Sequence, residues 1–567
     1  MKEPSTLPGK LLRLLREPSR VGSTLRRTRR ILARDGLDAL LARLGGDLGL
    51  GRSIDYSEWV RRFDTPSPDD LDGLRKRAAA VRWPSITVCD PAGIGGLSAQ
   101  VLPPLEVLTG PLQAALPKAQ GEFVLVLDPR VRLPPHALLV AAETLARDRA
   151  LDLLYADHDH VEASGQRHTP FFKPDFDPEL LWSLDYVTPF TLVRAQLARA
   201  APAQSAFGLF LRAAGRTSPR RIAHVPHILA HVGPGPAPSA QEQTATVRGA
   251  LLERAPGWTV ELDGVHQTRR VRPPLSSEPL VTAIVPTRDG LSVLARCVEG
   301  LLTRTRWPRL ELLIVDHGSR ETAPLRFLEG LAERGAARVL RAPGPFNFSR
   351  LNNLAALAAR GEVLALCNND LELRDPSWLS ELVAHALRPE IGAVGAKLSY
   401  PDGRLQHLGV ATGVLGVAGH VLRGLPPDAP GPQGLAFATR SVSAVTAACL
   451  VVRRELYLRA GGLDEARFAV AFNDIDFCLR LRAMGYRNVF TPWAQLVHHE
   501  SYSRGDDLAP AQRARFEREI EDMHDRHADL ARDPFYNPNL SLADLDLAPA
   551  DPPRVARPWA PANQREP

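Results

Sequence analysis

Val281-Thr-Ala-Ile-Val285, followed at once by Pro286-Thr287-Arg288-Asp289, opens the stretch whose pattern decides the fold. Downstream the chain predicts a helix through Cys297 to Leu302, the strand Glu311 to Val315, a helix around Leu325 to Leu331, and the strand Arg338 to Leu340. A helix Arg350 to Ala359 and the strand Val363 to Leu366 complete the series. Short apolar strands alternating with amphipathic helices imply an α/β, doubly wound, mostly parallel sheet covered on both faces. After Pro376 the alternation becomes irregular, which predicts a subdomain of different construction. Regularity returns with a helix containing Asp474 to Met484 and a polar helix Pro510 to Ala528. The Pro-rich tail after Ala548 has the composition of disorder.

The same pattern occurs earlier in weaker form. Gly121-Glu122-Phe-Val-Leu-Val-Leu-Asp-Pro-Arg130 lines up with Gly361-Glu362-Val-Leu-Ala-Leu-Cys-Asn-Asn-Asp370, an internal repeat. By this alignment Asp370 corresponds to Arg130, Asp474 to Ala206 and Asp476 to Gly208, while Leu479 and Arg480 match Leu211 and Arg212. Strands are expected at Ile86 to Cys89 and Phe123 to Leu127. The first copy looks shortened, with no second strand-plus-acid unit fitting between Asp90 and Gly121. The chain therefore divides into a basic amphipathic segment (1–50), a first domain (51–265), a Pro- and Arg-rich linker (266–279), a second domain (280–545) and the tail (546–567).

Composition narrows the function classes. A chain of 567 residues exceeds what one core usually serves. Its hydrophobic fraction of 44% and charged fraction of 24% are those of a soluble globular protein. The net charge of +6 only weakly supports nucleic acid, nucleotide or membrane binding, and a nucleic-acid reading has nothing else, since no basic stripe interleaved with aromatics accompanies it. The five cysteines are scattered and form no CxxC pair, which speaks against a disulfide framework and a zinc site and fits a reducing cytoplasm. No apolar run reaches the roughly 20 residues of a membrane span. Residues 9 to 46 alternate basic and leucine-rich patches at helical spacing. Two readings stay open for them: a solvated helix packed on the domain behind it, or a peripheral contact with anionic lipid at the membrane's inner face.

Ligands of open parallel sheets bind beyond the carboxyl ends of the strands. Those positions hold Pro286-Thr287-Arg288-Asp289, Asp316-His317-Gly318-Ser319 and Asn368-Asn369-Asp370. The first turn has no G-x-G-x-x-G, which disfavours a nicotinamide or flavin enzyme. Asp289 and Asp316 read either as helix caps or as contacts to a nucleotide's base and ribose. Asp370 places a carboxylate where it could coordinate a hard divalent cation on a nucleotide's phosphates. Asp474 and Asp476, two apart at a helix start, point in different directions, so only one can readily face a reaction. The macrodipole explains acids there; the repeat contrast favours a base. His498-His499 is either a structural pair or the source of a further metal ligand.

Together these residues match a family. The motifs Ile284-Val-Pro-Thr287, Val315-Asp-His-Gly-Ser319, Asn347-Phe-Ser-Arg-Leu-Asn352-Asn353, Asn368-Asn-Asp370, Gly461-Gly-Leu-Asp464, Asn473-Asp-Ile-Asp476 and His498-His-Glu-Ser501 closely resemble family 2 glycosyltransferases of the GT-A fold. More narrowly they resemble rhamnosyltransferase-like proteins of bacterial surface polysaccharide synthesis. The first domain resembles a degenerate second copy, through Leu154-Tyr-Ala-Asp157 and Phe172-Lys-Pro-Asp-Phe-Asp-Pro178.

The resemblance implies that Pro286, Thr287, Asp289, Asp316 and Gly318 hold the nucleoside of a nucleoside-diphosphate sugar, dTDP-rhamnose-like, with Asn353 and Asn369 nearby. Asp370, with His498 or His499, would bind Mg2+ or Mn2+. Asp474 would be the base for an inverting transfer to a lipid-linked or polysaccharide acceptor, and Asp476 and Arg480 would support it. The acceptor-side subdomain would follow Pro376. Asn473 stands where the family commonly has Glu, which removes a like charge beside Asp474. Other sugar donors, or a non-catalytic glycan-binding scaffold, are the rival readings.

Overall fold

The computed structural model describes residues 52–91, 97–275, 277–499 and 510–560. The basic segment 1–50, with its expected membrane contact, lies outside the described residues, as do Glu500 and Ser501. Among the described residues no helix is long and apolar enough to cross a membrane.

Two sheets organise the chain. The first contains Ile86–Cys89 (β1), Glu106–Leu108 (β2), Phe123–Val126 (β3), Val131–Arg132 (β4), Leu153–Val161 (β5), Thr191–Arg194 (β6) and Ile222–Val232 (β7). The second contains Val281–Thr287 (β8), Leu310–Asp316 (β9), Arg338–Arg341 (β10), Val363–Cys367 (β11), Leu371–Leu373 (β12), Ile391–Ser399 (β13), Cys449–Arg453 (β14) and Arg487–His498 (β15). The strand order is β2-β1-β3-β6-β5-β7-β4 in the first sheet and β10-β9-β8-β11-β14-β13-β15-β12 in the second. Strand for strand the two orders coincide, except that β10 has no counterpart.

A polar latch repeats as well. In the first sheet Thr87 Oγ1 donates to Glu106 Oε1 at 2.7 Å and accepts from the Gly121 N–H at 2.9 Å. In the second, Thr282 Oγ1 donates to Glu311 Oε2 at 2.5 Å and accepts from the Gly361 N–H at 2.9 Å. Both glycines approach so closely that a Cβ would lie 2.6 Å from the threonine's backbone nitrogen.

Alternation along β8 explains why the second sheet is buried on both faces. Ile284 points into one apolar cluster with Leu313, Leu364 and Leu366. Val281, Ala283 and Val285 point into another with Leu312, Ile314 and Val363. Each such valine, leucine or isoleucine contributes about 1.5–3 kcal/mol on burial.

Several expectations need correction. The second strand said to be missing from the first copy is present as β2, parallel to β1 and pairing Thr87 with Glu106. Three residues behind a Leu102-Pro-Pro104 run are too few to show a periodicity. The acid is absent, since the position five beyond Glu106 is Pro111 where Glu311 is followed by Asp316. The second sheet is mixed: β8, β9, β10 and β11 run parallel, but β14 is antiparallel to β11 and β13. The region after Pro376 extends this same sheet through β13, β14 and β15.

The expected linker is a hairpin in which Thr259–Asp263 pairs with Thr268–Arg272. Its arginines hid the alternation because the groups that bind them lie far away in the sequence. Arg269 Nε donates to the Trp182 carbonyl at 2.9 Å, and Arg270 Nη2 pairs with Glu381 at 2.7 Å. The described part of the tail, residues 546–560, is fixed in place. Ala550–Asp551 pairs with Arg52–Ser53, Asp551 binds both Arg52 and Arg62, and Arg554 Nη1 donates to the Leu540 carbonyl. Backbone and arginine contacts, which composition does not reveal, strap it to the first domain.

Polar contacts also join the domains directly. Glu179 is gripped by Arg388 through two bonds of 2.7 Å and by Arg487 at 3.1 Å, and Asp177 accepts from Ser441 N and Oγ, each at 2.7 Å.

Candidate active site

Parallel register brings the carboxyl ends of β8 and β9 side by side, with Thr287 opposite Asp316. β11 ends next to them and leads into Asn368, Asn369 and Asp370. Asn369 Nδ2 donates to Thr287 Oγ1 at 3.0 Å, tying two of these ends together.

The acids expected to hold the nucleoside are already engaged. Asp289 has φ +49° and accepts from the amides of Arg320 (2.8 Å) and Glu321 (3.0 Å). These bonds, that to Glu321 foremost, hold its carboxyl below the usual aspartate range. Asp316 is fully buried, accepts from Ser319 N at 3.0 Å and pairs with Arg341. Both acids therefore build the loop floor, with Gly318 at φ +69° in the turn between them and Pro286 buried in β8.

Asn353 is not free for a donor. Its Oδ1 accepts from Tyr457 Oη (2.7 Å) and Leu463 N (3.0 Å), and its Nδ2 donates to the Leu463 carbonyl (2.8 Å). It pins the helix Phe348–Ala358 to the loop holding Gly462. The helical face that carries this asparagine cannot be read from the motif alone.

Asp370 and His498 come together. β12 pairs antiparallel with β15, setting Leu371 opposite His498, so Asp370 Oδ1 lies 3.1 Å from His498 Nε2. Gln406 Oε1 can only accept at His498 Nδ1 (2.9 Å), and Asn368 Nδ2 donates to Nε2 at 3.1 Å. Nε2 is therefore unprotonated, its one lone pair met by the Asn368 amide, and beside it lies a buried carboxylate oxygen that has no hydrogen-bond partner, so a cation bound here would take the place of the Asn368 contact. Two acceptors converging in a buried place suit a cation between them. His499 turns its Nε2 to Glu372 (3.2 Å) and Arg296 (3.1 Å) instead. Among the described residues no three acidic, histidine or cysteine side chains converge on one point. The remaining ligands of such a cation would come from the bound substrate.

Asp474 sits half-buried in the first turn of the helix Asn473–Ala483 (α1), which begins after Phe472 in the left-handed region at φ +58°. A non-glycine residue there costs about 1–3 kcal/mol and requires support. The Phe516 ring stacks on Phe472 at 5.5 Å, and Glu519 accepts from the amides of Val470 and Ala471. Both residues belong to the helix Pro510–Arg526 (α2). Asp474 Oδ2 accepts from Ala447 N at 2.9 Å and Oδ1 from Ile475 N at 2.9 Å, which leaves lone pairs on both oxygens.

Asp476 points elsewhere. Fully buried, it binds Arg480 Nε (2.9 Å), His527 Nε2 (3.0 Å) and Arg526 Nη1 (3.1 Å). Burial alone would raise its pKa, but the His527 and Arg480 contacts outweigh it and hold the carboxyl below its ordinary value. Arg480 also donates to the Ala460 and Gly462 carbonyls.

Hydrogen bonds link the two candidate centres. Asn368 N donates to the Ala448 carbonyl at 3.0 Å, one residue from the Ala447 amide on Asp474. The sequence reading missed Gln406, Glu519 and the 446–448 loop. The one available signal was the polar pair Gln406-His407 inside an otherwise apolar run.

The first domain holds other residues at these places. Arg130, matching Asp370, folds back on Asp128 through bonds of 2.9 and 3.0 Å. Val131 pairs with Val232, so a valine stands where His498 stands in the second sheet. The Gly233 amide bonds to the Arg130 carbonyl as the His499 amide does to Asp370, which fixes the correspondence.

Residues 282–456 match the family described as Glycosyl transferase family 2. Residues 282–456, within the second α/β sheet, thus carry a family 2 glycosyltransferase domain. An uncharacterized protein of Sinorhizobium fredii is 40% identical over 462 residues, covering 77% of this chain and 50% of that protein. The O-antigen biosynthesis protein RfbC of Myxococcus xanthus is 39% identical over 453 residues, covering 75% of this chain and 34% of that protein. The N-acetylglucosaminyl-diphospho-decaprenol L-rhamnosyltransferase of Mycobacterium tuberculosis is 26% identical over 261 residues, 43% of this chain and 83% of the enzyme. The chain spans half or less of the length of the first two relatives.

Proposed function

We propose that this protein is an inverting, metal-dependent glycosyltransferase acting in cell-surface glycan synthesis at the cytoplasmic side of the membrane. The observation that carries the reading is the buried, unpartnered Asp370 Oδ1 beside the unprotonated His498 Nε2, linked by hydrogen bonds through Asn368 and the 446–448 loop to Asp474. Asp370 and His498 would hold a Mg2+ or Mn2+ ion, which when bound neutralises the charge of a departing nucleoside diphosphate. Thr287, Asn369 and the loops tied by Asp289 and Asp316 would seat the nucleoside.

Asp474 takes the proton of an acceptor hydroxyl as that oxygen attacks the anomeric carbon. The new C–O bond forms as the bond from that carbon to the diphosphate oxygen breaks on the opposite face, which inverts the centre. Asp476 and Arg480 keep α1 in place and take no proton. A rhamnose donor and a lipid-linked or polysaccharide acceptor are supported by what the relatives are named for, above all the rhamnosyltransferase. The first domain keeps the sheet without the acid, imidazole or base, and we assign it no turnover.

The test is a screen of nucleoside-diphosphate sugars against the full chain, with Mn2+, Mg2+ or chelator. Metal-dependent release of nucleoside diphosphate from one donor, dTDP-L-rhamnose first, is expected. Turnover undiminished by chelator overturns the metal assignment, and silence with every donor overturns the enzyme reading.

A further inference from the structure

The pair His407 and His420 has no role in the chemistry described so far. His407 ends a short buried strand, Leu405–His407, and His420 lies half-buried at the end of Ala418–His420. Their Nδ1 atoms are 2.9 Å apart. His407 Nε2 is contacted by the N–H of Thr446 at 3.4 Å, and an amide can only donate. That nitrogen is therefore unprotonated, so His407 Nδ1 carries the proton and gives it to His420 Nδ1, leaving the His420 proton on Nε2. One backbone amide thus sets the tautomer of both rings.

The position of this chain of bonds matters. Thr446 precedes Ala447, whose amide holds Asp474 Oδ2, and Ala448, whose carbonyl holds Asn368. Gln406, next to His407, orients His498. Gly409, at φ +99°, fits so closely that a Cβ would meet Val442 Cγ1 at 2.6 Å, so the segment has little room to shift. Burial and the neighbouring His420, Arg440 and His498 keep His407 well below the usual imidazole range, hence neutral.

We propose that His407, braced by His420, is a positioning residue that fixes the 446–448 loop and through it the orientation of Asp474, while the adjoining Gln406 fixes His498. One segment thus holds the loop of the base through His407 and the candidate metal ligand through Gln406. This rests on the glycosyltransferase reading for its kinetic consequence, but the loop restraint can be measured without turnover.

Two substitutions in the full chain separate positioning from space-filling. His407→Leu keeps the volume and loses the acceptor; His407→Gln offers an amide oxygen for the Thr446 N–H. In His407→Leu, kcat should fall about 10- to 100-fold, as for other outer partners of site residues, with donor and Mn2+ affinity within about twofold. His407→Gln should recover most of that loss. Hydrogen exchange of the 443–449 peptide should quicken at least about tenfold in His407→Leu and return to wild type in His407→Gln, with the rest of the domain unchanged.

Equal kcat in His407→Leu and wild type, equal losses in both variants, or unaltered exchange at 443–449 each overturns the proposal. If the wild type transfers no sugar, the enzyme reading fails, and the exchange measurement still decides whether His407 restrains the loop.

Discussion

The two sheets carry one scaffold and two fates. Both keep the Thr-Glu-Gly latch, with Thr87, Glu106 and Gly121 matching Thr282, Glu311 and Gly361 almost bond for bond. Both keep a clamp in which the arginine ending an inner strand, Arg194 or Arg453, donates to the carbonyl of Leu151 or Ile391. At the carboxyl ends they diverge: Asp370, His498 and Asp474 in one face Arg130, Val232 and Ala206 in the other. Latch and clamp satisfy buried polar groups, and removing one partner costs about 1–3 kcal/mol. The residues at the carboxyl ends stabilise nothing comparable, so a domain that loses its ligand can lose them and stay folded.

The largest expected effect tests whether only one half reacts. Asp474→Asn should lower kcat by about a thousandfold, within the range for a positioned base, while calorimetry finds donor binding nearly intact. Residual transfer above about one per cent, on the same scale, would mean that the first domain turns over too. Next, Asp370→Asn should weaken Mn2+ binding on the order of 100-fold, at the top of what even indirect partners of metal ligands contribute. Its mirror, Arg130→Asp, should bring no Mn2+ binding to the first domain, because Val232 supplies no lone pair; titration calorimetry reads both.

The third prediction asks how far the halves are independent. Arg388 and then Arg487 overcome the burial of Glu179 and hold its carboxyl far below the ordinary glutamate range. Glu179→Gln leaves those arginines poorly compensated and should destabilise the protein by about 3 kcal/mol in urea unfolding. A loss confined to one of two separate transitions would show that the domains fold apart.

The smallest effect concerns Asp476, matched by Gly208 in the first copy. Asp476→Asn should cost about 2 kcal/mol, the value of hydrogen bonds to a charged group, with a milder fall in kcat than Asp474→Asn. Its folded pKa is depressed, so the stabilisation is present above the unfolded aspartate value of about 4 and is lost as pH falls through the folded value. Unfolding at several pH values should show the gap between wild type and variant constant above about pH 4 and closing below it.

Much of this was legible in the chain. Short apolar runs such as Val281–Val285, alternating with amphipathic helices, and the Gly-Glu repeat gave the strands and the copy. The carboxylates at strand ends could be found because parallel sheets place ligands there. What stayed hidden depended on partners far away in sequence: β2 is three residues long, the hairpin Thr268–Arg272 disguises its alternation with paired arginines, and the tail is held by Arg52, Arg62 and backbone groups.

Sequence alone determined which half retains acids, because a missing carboxylate is a covalent fact that no packing can restore. It also placed Asp474 and Asp370 at element ends, where local periodicity sets them. Only the tertiary structure decided that His498 rather than His499 meets Asp370, that Asp476 is bound to α2, and that Asn353 is a clamp. Those outcomes follow from strand register and helix packing, which turn neighbouring side chains to different sides of the backbone.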